Sequence, residues 1–261
     1  MNIKNLSLKY KLLLLVVLPV TYIVLLFIFI AVDSFKDKIH SRNLEKNIEL
    51  NVVISNVITH LQIERDKSGY FLISKGKTFT DEIFNIRKDT DASIKSLNKA
   101  LLGFDKSILP LKSEEKLEIF SKYIDNLSSI RGKIDSNSLS FNKLLNYYSE
   151  INKSLIEIIS KSVSLSTNAT IANHITAYYN FLFLKEKASL ERLIGTHTFF
   201  NKHYGDKLYL MYVNSVSSQN SFLETFYSYC DVKTSKLLDR VVFKEYAGLP
   251  WRAPSLLPFE R

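Results

Sequence analysis

The chain has 261 residues with 35 Lys or Arg against 26 Asp or Glu, a formal net charge of +9. That length holds a membrane anchor and one sizeable domain or two small ones, and a single cysteine rules out an intrachain disulfide framework. The lysines are scattered and carry no recognised binding motif, which argues against nucleic acid as a partner; the basic excess reads as a solvated surface, or as a field that draws in small anions.

Leu12–Val32 carries no charge and as a helix would span the hydrocarbon core of about 30 Å. Lys4, Lys9 and Lys11 precede it, so residues 1–11 are expected to stay in the cytoplasm. Pro19 is tolerable inside a membrane helix. A cleaved signal peptide is the rival reading, but the apolar run is long for one and Ala31-Val32-Asp33 is a poor cleavage site. A retained anchor over 12–32 is favoured.

With only 7 Gly and 5 Pro, long helices are the natural reading of the rest. Asp33 to about Ser74 continues as a helix through Phe35, Ile39, Leu44, Ile48, Val52, Val57 and Leu61, and the turn Ser74–Lys77 contains Gly76. A second helix covers Thr78–Leu102. Gly103–Pro110 breaks it, and Ser113 is a plausible N-cap for a third helix running to about Arg131. Further helices are expected over Ser138–Ser164, Ala169–Phe200 and Lys207–Leu238. No segment alternates like a strand. The fold class is therefore all-α, antiparallel, with bundle-type packing. After Arg240 the proline cluster Pro250, Pro254 and Pro258 suggests an irregular tail over 241–261.

Two arginines stand out. Arg65 follows Ile54, Ile58 and Leu61 on one helical stripe, and Arg192 follows Ala177, Phe181, Leu184 and Ala188 on another. A cation on an inward face is costly without an anion. Neither arginine shows a committed acidic partner in the sequence, although Glu64, Glu186 and Glu191 are close by. A site for a small anion is one reading, and pairing with a carboxylate of another helix is the alternative. Arg87 and Arg131 each begin an Arg-x-x-x-Asp run, with Asp91 and Asp135. The i,i+4 spacing predicts a surface ion pair within each helix, with a part in lining a site as the second possibility.

His40, His60, His174, His197 and His203 show no helical zinc spacing, so no metal is expected. No phosphate loop and no nucleophile elbow occurs, which leaves an enzyme without a nucleophile or base, and no cofactor is indicated.

The run Leu61-Gln-Ile-Glu-Arg-Asp-Lys-Ser-Gly-Tyr-Phe-Leu, followed by Gly76 and Phe79, resembles the opening motif of the nitrate- and nitrite-sensing (NIT) domain. Arg87 to Asp91, Arg131 to Asp135, Tyr147-Tyr148-Ser-Glu-Ile-Asn, and Tyr178 through Lys185-Glu186 to Glu191-Arg192 are similar to its later landmarks, in order over about residues 45–230. The resemblance implies an all-helical sensor of two packed four-helix bundles over 33–240, with nitrate or nitrite held by arginines between helices. Arg65 and Arg192 match motif arginines, with Arg87 and Arg131 of second rank, and Asp66 stands where many members carry glycine. The implied setting is chemoreceptor-like, in the bacterial inner membrane with the sensor in the periplasm, one span before the domain and a second after it; this chain departs from that and reads as single-pass, with a homodimer as the expected assembly. No second span or coupling linker follows the domain, so the expectation is a sensor without its own output module. A helical dimerisation module with no small-molecule ligand is the alternative.

Overall fold

The structure is a computed structural model and describes residues 8–203 and 205–246. Among these residues the long elements are all helices: α1 (Leu8–Ile73), α2 (Thr80–Leu102), α3 (Ser113–Asp125), α4 (Leu127–Asp135), α5 (Phe141–Lys161), α6 (Ala169–Asn201), α7 (Asp206–Tyr229) and α8 (Val232–Tyr246). Short 3-10 turns lie at Lys106–Ile108 and Ser162–Leu165. The all-α expectation holds.

The chain divides into two compact units, residues 1–45 and 46–261. In the first, the large apolar side chains from Tyr22 to Ile30 stand exposed. Helix α1 is the one helix among the described residues long and apolar enough to cross a membrane, by length and composition.

The second unit is built on the apolar stripes legible in the sequence. Ile54, Ile58 and Leu61 of α1 are fully buried against Ile94 and Leu97 of α2, Phe120 of α3, Ile130 and Ile134 of α4, and Ile151 and Leu155 of α5. Each such side chain contributes about 1.5–3 kcal/mol by leaving water. A second cluster joins Leu145 of α5 to Leu190, Leu193 and Ile194 of α6 and Leu208 of α7, with Tyr70 and Ile73 of α1 packed on it. Helices α1 and α5 thus belong to two four-helix groups, one completed by α2 and the α3–α4 pair, the other by α6 and α7. A third cluster, Ala177, Phe226 and Leu238, seats α8 on α6 and α7.

Local chemistry sets the ends. The turn after α1 places Lys75 and Gly76 in the left-handed region, with φ 54° and 78°, and glycine takes that conformation without strain. The Asn168 side chain accepts from the Thr170 and Ile171 amides and caps α6. Three boundaries differ from expectation. Ser113 is not the N-cap of α3: Lys112 holds that position, and Ser113 is buried at the first helical residue. The third predicted helix is two, parted at Asn126, and the second of them runs beyond Arg131 to Asp135. The last predicted helix also breaks, because Cys230 is extended and Asp231 accepts from the Thr234 amide at 2.6 Å to start α8. Helix α8 then runs past Arg240 to Tyr246; the remainder of the expected tail lies outside the described residues.

The two Arg-x-x-x-Asp runs pair, but not within their helices. Arg87 donates through both terminal nitrogens to Asp135, at 2.9 and 2.7 Å, and Arg131 Nη1 donates to Asp91 at 2.8 Å. Helices α2 and α4 run antiparallel side by side here, so each arginine reaches the other helix's aspartate. Arg131 also forks onto Glu64 of α1, from Nε at 2.7 Å and Nη2 at 2.9 Å, and the Tyr148 hydroxyl of α5 donates to the same carboxylate at 2.8 Å. Burial and Glu64 both push the Tyr148 pKa well up, so it stays a donor.

Two outcomes are expected from this packing. In double-mutant cycles of thermal stability, Arg87 should couple to Asp135 by about 0.5–1 kcal/mol, since one partner is exposed, and to Asp91 by nothing measurable; the reverse ranking would contradict the exchanged pairing. Glycines divide by environment. A Cβ on Gly69 would lie 2.7 Å from the Leu193 side chain, itself fully buried, whereas one on Gly132 meets nothing within 4 Å. Urea unfolding should therefore show Gly69→Val losing about 1–3 kcal/mol and Gly132→Ala gaining about 0.5–1 kcal/mol.

Candidate functional site

Glu64 and Arg65 are adjacent on α1 and so point about 100° apart. Glu64 turns toward α4 as described. Arg65 turns toward α5 and α6, and its side chain is 0% exposed. Glu64 does not neutralise Arg65, but Arg65 does have committed acidic partners, as the alternative reading of the sequence had it. Its Nη1 makes a short ion pair with Glu186 of α6, and its Nε lies 3.3 Å from the Asp66 carboxylate. Ser189 Oγ accepts from Nη2 at 2.8 Å, and Ser149 of α5 is reached at 3.4 Å.

Glu186 is held in turn. Gln62 and Asn152 donate their amide nitrogens to its second oxygen at 2.8 and 3.2 Å. These side chains arise from three helices whose stripes carry polar residues at helical spacing: Gln62 and Arg65 on α1, Ser149 and Asn152 on α5, Glu186 and Ser189 on α6. The Gln62 and Asn152 carbonyl oxygens are buried with no hydrogen-bond partner.

Arg192 differs from its expected placement. The predicted stripe through Ala177, Phe181, Leu184 and Ala188 is not the buried one beyond Ala177. Leu182, Glu186, Ser189 and Leu193 face inward instead, and the Arg192 side chain is 57% exposed. Its Nη2 donates to Asp66 Oδ2 at 2.9 Å. The Ser189 hydroxyl lies 2.9 and 2.7 Å from the two Asp66 oxygens and donates to that carboxylate. Asp66 thus sits between the two guanidiniums, one fully buried and one at the surface.

The structure therefore brings Arg65 and Arg192 to one carboxylate and sends Arg87 and Arg131 elsewhere, to Asp135, Asp91 and Glu64. Sequence reasoning noted Asp66 only as a departure from the family motif, passed over Ser189 and took Glu186 only as a neighbour. For Glu186 and Ser189 the signal is the 4-3-4 stripe Leu182–Glu186–Ser189–Leu193, which carries a carboxylate where Arg65 needs one.

The charges at the cluster are largely matched to one another. Burial alone pulls the Arg65 pKa down, but Glu186 and Asp66 outweigh it and hold the guanidinium above the ordinary arginine value. Lys185, half-buried and bonded to Thr59 Oγ1 at 3.0 Å, has its pKa pushed down by burial, with Glu186 and Asp66 opposing. Arg65, Arg192 and Lys185 against Asp66 and Glu186 leave a positive surplus. Guanidinium forks suit planar oxyanions in shape and charge. Among the described residues no group of three His, Cys, Asp or Glu side chains is placed to hold a metal.

The family described as nitrate and nitrite sensing, NIT, matches residues 56–248. No curated protein matches the chain. Among solved structures, that of the NasR transcription antiterminator is similar, at 20% identity and a TM-score of 0.72; the match covers 84% of this chain and 59% of that one. At that identity the likeness speaks for the fold, and this chain spans about 59% of the length of its neighbour. The family match takes in α2 to α8 and the part of α1 that carries Arg65, and on it the chain belongs to the nitrate- and nitrite-sensing (NIT) family.

Proposed function

We propose that this chain is a membrane-anchored sensor that binds nitrate or nitrite between α1 and α6, with Arg65 and Arg192 holding the anion and Arg87 and Arg131 supporting the helix frame. The observation that carries this reading is the meeting of two guanidiniums, one of them fully buried, on a single carboxylate. Nitrate, nitrite and carboxylate share a bent O–X–O fork with a delocalised negative charge, so a place shaped for one suits the others. Residues 12–32 serve as the anchor in the bacterial inner membrane, 1–11 stay in the cytoplasm, and the sensor from residue 33 onward faces the periplasm as a homodimer. The role is signal transduction and not catalysis.

A second reading has a specific observation in its favour. Arg65 is already matched by Glu186 and Asp66, as a purely structural arginine would be. In that case the chain is a helical dimerisation module with no small-molecule ligand. Arg65→Ala separates the readings poorly, because stranding Glu186 costs about 3–5 kcal/mol under either.

Arg192 separates them, being largely exposed. Titration calorimetry on the full chain in nanodiscs should show nitrate binding that falls about ten- to a hundredfold in Arg192→Ala, with stability changed by less than about 1 kcal/mol. Arg192→Lys should recover only part, since lysine keeps the charge and loses the fork. Heat unaltered by Arg192→Ala, or none from folded protein with nitrate or nitrite, would leave the interaction module standing. Topology has its own check. Alkaline phosphatase fused after Arg240 should be active if the basic N-terminal flank is cytoplasmic, and a stable but inactive fusion would reverse the orientation.

A further inference from the structure

Asp66 raises a question that the two arginines alone do not. Its side chain is largely buried, 9% exposed. It takes a hydrogen bond from Arg192 at 2.9 Å, a contact from Arg65 Nε at 3.3 Å, and the Ser189 hydroxyl proton shared between its oxygens. A planar two-oxygen anion entering between Arg65 and Arg192 would make the same set of contacts. The two compete for the same donors, because the Ser189 hydroxyl has one proton to give and Arg65 Nε and Arg192 Nη2 are already turned to Asp66.

We infer that Asp66 is an internal competitor for the anion site, a tethered carboxylate that nitrate or nitrite must displace. This rests on the anion reading of Arg65 and Arg192 and adds how that site is regulated. A ligand fixed to the residue next to Arg65 acts at an effective concentration in the millimolar range or above. An external anion therefore binds with an affinity reduced by the fraction of time Asp66 leaves its place. The exchange also carries mechanical content. Asp66 is on α1, and its partners Ser189 and Arg192 are on α6. Displacing it removes a direct tie between these helices and replaces it with a mobile ion. Glu186 does not compete in this way. It keeps its bond to Arg65 Nη1 while Gln62 and Asn152 secure its other oxygen.

The test uses the full chain in nanodiscs, with nitrate and formate as probes and circular dichroism to establish folding. Asp66→Asn keeps the shape and removes the charge; Asp66→Ala removes the carboxylate. Both should bind nitrate at least about tenfold tighter than the wild type. Formate, the missing carboxylate supplied as a free ion, should bind Asp66→Ala, raise its melting temperature and compete with nitrate, and should do so far less in the wild type. Binding of nitrate by Asp66→Ala when the wild type binds none would also support the inference. If the wild type binds nitrate and Arg192→Ala weakens it, but both Asp66 variants bind equally or more weakly, the competitor role is overturned and the arginine site stands. If neither the wild type nor the folded variants bind nitrate or nitrite, both fall. Should Asp66→Ala fail to fold, Asp66→Asn decides the matter alone.

Discussion

The buried ion pair between Arg65 and Glu186 is the constraint on which the rest of this structure depends. An arginine with no exposed surface is tolerable only if its charge and donors are met. Meeting them takes side chains from three helices: Glu186 and Ser189 of α6, Ser149 of α5, and Asp66 beside it on α1. Gln62 and Asn152 then fix Glu186. Losing one member would strand the others in a place water does not reach. The pair therefore fixes which helices meet and in what register, more than it adds net stability.

The neighbouring residue does the same on the other side. Glu64 gathers Arg131 of α4 and Tyr148 of α5, and the α2–α4 pairs Arg87–Asp135 and Asp91–Arg131 extend that network outward. Two consecutive charges on α1 thus address two four-helix groups, and α5 contributes Tyr148 to one and Ser149 and Asn152 to the other. A change in what Arg65 or Asp66 touches bears directly on a helix common to both groups. That gives a physical route by which an anion between α1 and α6 would alter α1.

Much of this was legible in the sequence, and what was not has identifiable causes. The apolar spacing of Ile54, Ile58 and Leu61 foretold the inward face of α1 and put Arg65 on it, because helical periodicity depends only on the residues themselves. The helical class, the turn at Gly76 and the start of α6 followed from the same kind of local information. The inward face of α6 was misplaced because several overlapping stripes in Ala177–Leu193 satisfy the same spacing, and the true one contains Glu186, a residue that apolar periodicity discounts. The Arg-x-x-x-Asp runs pair across α2 and α4 because the antiparallel alignment puts 87 beside 135 and 91 beside 131. Either pairing satisfies the sequence equally well, and only the helix alignment chooses. Asp66 escaped for a related reason: a carboxylate next to an arginine along a helix points elsewhere, and it takes the fold to bring Arg192 over to meet it.

The central claim, that an anion and Asp66 contend for one place between Arg65 and Arg192, is tested most directly by a crystal structure of the chain grown with nitrate. The expected result is a planar anion within hydrogen-bond distance of both guanidiniums and Ser189 Oγ, with the Asp66 side chain turned away and Glu186 still on Arg65. Nitrate bound elsewhere in the domain, with Asp66 still bridging the two arginines, would contradict it.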